Sequence, residues 1–256
     1  MRHIPRKRFG QNFLVDDAVI AAIVSAVNPQ PTDLMIEIGP GWGALTRPLV
    51  ARLHHLHVVE IDRDIVARLK QDFPPERLTI HEGDALKFDF AALGPGLRVV
   101  GNLPYNISTP LLFHLAQSAR RLRDIHVMLQ KEVVERMVAR PSSSAYGRLS
   151  VMLQYRFEME KILEVPAQAF RPAPKVESAV VRLLPRTPAV PCDEALFAKL
   201  VASAFAQRRK TLRNALKNHL AAEDFAALGL DAGIRAENLA VADFARMANH
   251  VSGKKR

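Results

Sequence analysis

The chain is short of cysteine, of tryptophan and of acidic residues. Among 256 residues there is one cysteine, Cys192, and one tryptophan, Trp42, and aromatic residues make up only 6%. A lone cysteine excludes an intramolecular disulfide. Cys192 also lies in a proline-rich stretch without a histidine nearby, so it reads as incidental. No apolar run approaches the ~20 residues that cross a bilayer. No signal-like apolar segment stands at the N-terminus, which predicts a reducing, cytoplasmic setting and no membrane partner. The nine histidines lack metal-ligand spacing; His54, His55 and His57 alternate along one expected strand and cannot face one point. No metal site is expected, and no internal repeat is present.

The shortage of acid is the informative one. Lys and Arg number 36 against 26 Asp and Glu, a formal charge of +10. Such an excess on a globular chain suits a polyanion, and without a membrane span the first partner to consider is nucleic acid. The cations cluster. Arg6, Lys7 and Arg8 stand in an acid-free N-terminal arm. Arg208, Arg209, Lys210, Arg213 and Lys217 fall within ten residues near the other end, on what the pattern predicts to be one helix. Both groups suit phosphate contact.

Between them the chain alternates strand-like and helix-like segments. A helix capped by Asp16 runs to about Val27, and strands are expected at residues 34–38, 56–61, 78–82 and 125–129. Thr109 and Pro110 read as the cap and first turn of another helix. Residues 158–165 and 178–184 read as an edge hairpin. The stiff loop between them holds Phe170-Arg-Pro-Ala-Pro174, where Phe170 serves as either a core plug or a stacking platform. Pro185, Pro188 and Pro191 mark a linker, and everything beyond is helical. The expected division is residues 1–187 as an α/β domain and 188–256 as a small all-helical domain.

Four turns carry candidate chemistry. Gly39-Pro-Gly41-Trp-Gly43 follows the first strand of the α/β pattern, where glycine lets a ligand approach the backbone. Glu60 stands near the end of the next strand, about twenty residues on, where Rossmann-like units place the acid that holds ribose hydroxyls. Asp84 closes a third strand and is able to accept from an adenine amine. The glycine spacing lacks a pyrophosphate cradle, which favours a nucleoside ligand. The fourth turn, Asn102-Leu103-Pro104-Tyr105, is the organising one. Pro104 stiffens it and restricts Leu103 to extended geometry. A side-chain amide, a backbone carbonyl and an aromatic face together suit a planar base with an exocyclic amine.

Nine motifs stand in order: Gln11-Asn-Phe-Leu14, Glu37-Ile-Gly-Pro-Gly-Trp-Gly43, Val59-Glu-Ile-Asp62, Gly83-Asp-Ala85, Asn102-Leu-Pro-Tyr105, Gln130-Lys-Glu-Val133, Tyr146-Gly-Arg-Leu-Ser150, Phe170-Arg-Pro-Ala-Pro174 and Arg208-Arg-Lys210. Together they resemble the ribosomal RNA adenine dimethyltransferases, most closely the small-subunit branch, over essentially the whole chain. The resemblance implies a class I methyltransferase fold with a Rossmann-like seven-stranded sheet, a helical RNA-binding C-terminal domain, and S-adenosylmethionine as cofactor. It implies that Asn12, Leu14, Gly39, Gly41, Glu60, Asp84 and Asn102 line the cofactor site, and that Asn102, Leu103, Pro104, Tyr105 and Phe170 hold the target base. It further implies a monomer acting on two adjacent adenines in a hairpin loop of 16S rRNA, with a part in small-subunit biogenesis. A large-subunit rRNA adenine methyltransferase and a non-catalytic RNA-binding assembly factor remain open. A DNA adenine methyltransferase is disfavoured because Leu103 stands where those enzymes carry a proline.

Overall fold

The computed structural model describes residues 12–254. Arg6, Lys7 and Arg8 therefore lie outside the described residues. The elements in order are β1 (Phe13–Leu14), α1 (Asp17–Val27), β2 (Met35–Ile38), α2 (Thr46–Arg52), β3 (Leu56–Glu60), α3 (Arg63–Asp72), β4 (Leu78–Glu82), β5 (Leu97–Asn102), α4 (Ser108–Gln117), β6 (Leu122–Gln130), α5 (Lys131–Val138), α6 (Arg148–Gln154), β7 (Phe157–Val165), β8 (Phe170–Arg171), β9 (Ser178–Pro185), α7 (Glu194–Phe205), α8 (Leu212–Ala215), α9 (Ala222–Ala227) and α10 (Val241–Gly253).

Seven strands form one sheet in the order β4-β3-β2-β5-β6-β9-β7. β2 pairs in parallel with β3 on one side and β5 on the other, and β6 continues in parallel from β5. The central strands are buried along their length, as a parallel sheet covered on both faces requires. The strand order reverses at β2 and β5. The carboxyl ends of those two strands therefore form the switch point, where an open α/β sheet leaves a crevice. Gly101 permits the two strands to close there: a Cβ on it would lie 2.5 Å from the Ile38 carbonyl oxygen.

Local chemistry explains the helix starts. Asp16 accepts from the Val19 N–H at 3.0 Å and Asp62 from the Asp64 N–H at 3.1 Å, each capping the helix that follows. At the amino ends of the strands, Arg98 of β5 is buried between Asp124 of β6 and Asp33 ahead of β2, with N–O distances of 2.8 and 2.5 Å. This buried cation joins three segments at the end of the sheet away from the crevice.

β7 and β9 are hydrogen-bonded neighbours at one edge of the sheet, as the sequence leads one to expect, and β9 also pairs antiparallel with β6. β9 reads Ser-Ala-Val-Val-Arg-Leu-Leu-Pro, and its first four residues are all buried, the pattern of an interior strand. Thr109 does not cap α4; the cap position is Ile107, with Ser108 as the first helical residue. A two-stranded ribbon, β1 with β8, pairs Leu14 with Phe170 and Phe13 with Arg171.

Two compact units emerge. One takes the chain up to Val134 and again over Glu158–Pro185; the other takes Glu135–Phe157 and the chain from Arg186 onward. The helical unit thus draws a segment from inside the span 1–187. Tyr146, Val151 and Tyr155 share its core with Phe197, Leu200 and Phe244, so this segment buries its apolar side there. The expected single helix over residues 207–217 is absent. α7 stops at Phe205, residues 206–210 turn, and α8 spans only Leu212–Ala215. Arg208, Arg209, Lys210, Arg213 and Lys217 are all exposed, the first three on that turn. Arg208 donates to the Ser144 carbonyl at 2.8 Å, tying the turn to the polar loop ahead of α6.

Candidate active site

A cavity of about 210 Å³ opens at the carboxyl ends of β2, β3, β4 and β5. Asn12, Leu14, Gly39, Gly41, Glu60 and Asp84 all line it, as do Asn102, Leu103, Pro104 and Tyr105. Residues from five separate stretches thus meet because parallel strands end side by side.

One flank suits a nucleoside. Glu60 is 7% exposed, and its Oε1 accepts from both the Ile61 and Asp62 N–H at 2.8 Å. The carboxylate also interacts with the Gly41 backbone, and as an acceptor on the cavity wall it suits a diol. Burial nonetheless holds the Glu60 carboxyl above the usual range. Ile61, 47% exposed beside it, offers an apolar face to a ring. Asp84 accepts from the Leu86 N–H at 2.9 Å through Oδ1, which turns this carboxylate into a fixed acceptor at the cavity wall. The glycine turn is closely covered. Gly41 has φ +52°, and a Cβ there would lie 3.0 Å from the Phe13 ring. Phe13 meets Trp42 edge-on at 5.4 Å between centroids, and the Arg68 guanidinium sits 4.6 Å above the Trp42 ring. A diol acceptor, an apolar face, an adenine-edge acceptor and a glycine turn fit S-adenosylmethionine.

Glu37 also lines the cavity and stands outside the candidates drawn from the sequence. Its place in the glycine motif was the available signal. It is 2% exposed, and Thr46 Oγ1 donates to it at 2.6 Å. Burial pushes its carboxyl up to about 8; the Thr46 bond pulls the other way, and the nearby Glu60 charge adds to the rise.

The other flank suits a base with an amine. Asn102 donates from Nδ2 to the Asn12 carbonyl at 2.9 Å, which commits its amide orientation and leaves Oδ1 as an acceptor. The turn that follows is held by the Leu103 N–H on the Met128 carbonyl at 3.1 Å. Tyr105 brings its ring to the cavity, with its hydroxyl 2.7 Å from Ser178 Oγ.

Phe170 does not join them. Its side chain is fully buried in the core among Leu14, Val165 and Val180, and it is absent from the cavity wall. The expectation that it clamps a base is corrected: an unpaired apolar ring beside the main core gains more from burial than from exposure. Its contribution to the site is indirect. Through the β1–β8 pairing it fixes the strand that follows Asn12.

The strand order, the switch-point cavity and its nucleoside-binding flank define a class I S-adenosylmethionine-dependent methyltransferase. The family profile "Ribosomal RNA adenine dimethylase" matches residues 2–252. The chain is 68% identical to the ribosomal RNA small subunit methyltransferase A of Thiobacillus denitrificans over 244 residues, covering 94% of this chain and 96% of the relative. It is 66% identical to the protein of that name from Chromobacterium violaceum over 256 residues, covering 99% and 98%. Among solved structures, a dimethyladenosine transferase from Plasmodium falciparum superposes with a TM-score of 0.82 at 25% identity, covering 95% of this chain and 98% of that one. The 23S rRNA methyltransferase ErmE shares the fold, with a TM-score of 0.73 at 24% identity over 94% of this chain and all of that one. The chain belongs to the ribosomal RNA adenine dimethylase family, enzymes that transfer methyl groups from S-adenosylmethionine to adenine.

Proposed function

We propose that this enzyme dimethylates N6 of two adjacent adenines in a hairpin loop near the 3′ end of 16S rRNA, in the small ribosomal subunit or its precursor. The reading extends to a monomer working in the cytoplasm and to a part in small-subunit biogenesis. The observation that carries it is the committed Asn102 amide. An adenine N6 lone pair is delocalised into the ring and is a poor nucleophile. Accepting its hydrogens at Asn102 Oδ1 and at the Leu103 carbonyl favours a pyramidal nitrogen with the lone pair turned out of the ring plane. When bound, S-adenosylmethionine would supply an electrophilic methyl to that lone pair and leave as the neutral thioether, and the N6 proton would pass to water. Tyr105 stacks on the extruded base and Asn102 sets the angle, so positioning supplies most of the rate. Asn12 and Leu14 close the cofactor side, Gly39 and Gly41 face the methionine portion, Glu60 takes the ribose and Asp84 the adenine.

The exposed cations of the turn ahead of α8, of α8 and of the residues just after it, Arg208 to Lys217, supply phosphate affinity, and Arg6, Lys7 and Arg8 are assigned the same role. The full-length similarity to small-subunit enzymes supports this substrate over the large subunit. The test is methyl transfer from labelled S-adenosylmethionine into unmethylated small subunits, with large subunits and DNA in parallel and nucleosides identified by mass spectrometry. N6,N6-dimethyladenosine confined to small-subunit RNA is the expected product. Label confined to large-subunit RNA or to DNA overturns the assignment, and cofactor binding without any transfer leaves an assembly factor.

A further inference from the structure

Tyr105 is pinned at both ends by serines that lie outside the cavity wall. Ser178 Oγ stands 2.7 Å from its hydroxyl, and Ser108 Oγ donates to its backbone carbonyl at 3.1 Å. Both serines are buried, Ser178 completely. Ser178 opens β9 opposite Gln130 of β6, so its hydroxyl is carried by the interior of the sheet. Burial keeps the Tyr105 phenol above its ordinary value, so the hydroxyl stays neutral and hydrogen-bonded at neutral pH. An aromatic ring attached at Cβ alone swings about χ1 and χ2. A ring also anchored at its hydroxyl has χ1 and the direction of its long axis fixed by the protein, since the hydroxyl lies at the far end of that axis.

That placement matters unequally for the two transfers each adenine undergoes. An unmethylated amine offers two hydrogens, one for Asn102 Oδ1 and one for the Leu103 carbonyl. The monomethylated amine retains one. The second transfer therefore loses a directional anchor and depends more on the stacked ring to hold the nitrogen in line.

We propose that Ser178 is a positioning residue which, by fixing where the Tyr105 ring sits, drives the enzyme past the monomethyl product to the dimethyl one. The proposal rests on the reading of Tyr105 as the stacking face for the target base.

Ser178→Ala, Tyr105→Phe and the double variant are assayed with unmethylated small subunits. First and second transfers are followed separately as N6-methyladenosine and N6,N6-dimethyladenosine, and S-adenosylmethionine affinity is measured by calorimetry. Ser178→Ala is expected to slow the second transfer about tenfold and the first about twofold, so monomethyl product accumulates while cofactor affinity stays unchanged. Tyr105→Phe removes the same bond from the other side and is expected to match it, with the double variant no worse than either single one. An unchanged product ratio in both single variants, or losses that multiply in the double variant, overturns the proposal. An equal fall in both transfers accompanied by a lowered melting temperature assigns Ser178 to folding alone and also overturns it. Wild-type enzyme producing no dimethyladenosine in any RNA is a failure of the substrate assignment, distinct from these.

Discussion

The side-chain amide of Asn102 donates to the backbone carbonyl of Asn12 at 2.9 Å, joining positions 90 residues apart in the chain. The carbonyl is itself held in place by the strand that follows it, since Leu14 pairs with Phe170 and Val15 donates to the Ala169 carbonyl at 2.8 Å. A ring in the hydrophobic core is thereby linked, through one short ribbon, to the orientation of the amide proposed to receive the target amine. Each partner in that relay has a separate signature on substitution.

Asn102→Ala is expected to lower the transfer rate by about 100- to 1000-fold, the scale on which single preorganised hydrogen-bonding groups act in acyl-transfer sites. Single-turnover methylation of small subunits measures it, with RNA affinity read in parallel by filter binding. RNA affinity should hold, because exposed cations supply it. Loss of both together assigns Asn102 to folding.

Phe170→Ala is expected to destabilise the α/β unit by about 3–5 kcal/mol, the usual loss for a buried phenylalanine. Phe170→Leu keeps most of the buried volume. It should retain transfer within a few-fold and lose only a few degrees of melting temperature. A Leu variant that melts like wild-type but has lost transfer returns Phe170 to the role of a stacking face.

Glu37 makes stability depend on pH in a defined direction. Its folded carboxyl sits at about 8, above the ordinary value of 4.5, so the folded state holds a proton that the unfolded chain gives up between those values. The stabilisation is complete below about pH 4.5 and is lost as pH rises through about 8. Glu37→Gln keeps an acceptor for Thr46 without the charge. It should flatten the decline across that window and raise the melting temperature of the cofactor-free enzyme above pH 8 by roughly 5 °C, equivalent to about 2 kcal/mol. A melting curve series from pH 5 to 9 decides it, and parallel pH profiles for the two proteins count against a buried protonated Glu37.

Arg208→Glu combined with Arg209→Glu is expected to weaken small-subunit binding and to reduce the slope of log affinity against log salt by roughly 1–2, about one unit for each phosphate no longer neutralised. Binding titrations at four salt concentrations suffice. An unchanged slope leaves that turn as a solvated surface.

Glu60, Asp84 and the Asn102–Tyr105 turn were legible from the sequence because strand-ending turns in a parallel α/β pattern have a fixed relation to one crevice. Each needs only its neighbours in the chain to be recognised. Phe170 was ambiguous for the opposite reason. Whether a loop aromatic plugs a core or faces a cavity depends on what lies across from it, and here that is Leu14, Val165 and Val180. The basic run from Arg208 to Lys217 has helical composition, yet it breaks into a turn and a four-residue helix. Thr211 bridges Arg235 there, a tertiary contact that overrides local propensity.

The sequence by itself determined the class of chemistry: a glycine turn, a spaced acid and an amide–proline–tyrosine turn, along with a cationic surface suited to RNA. Those properties reside in residue types and short spacings. Only the tertiary structure decided how the groups on the cavity wall are held. Asn102 is turned by Asn12, Tyr105 is held by Ser178, and Glu37 is kept uncharged by burial, each through partners brought in from elsewhere in the chain. Hydrogen-bond direction and desolvation depend on what lies within a few ångströms, and folding alone brings those neighbours together.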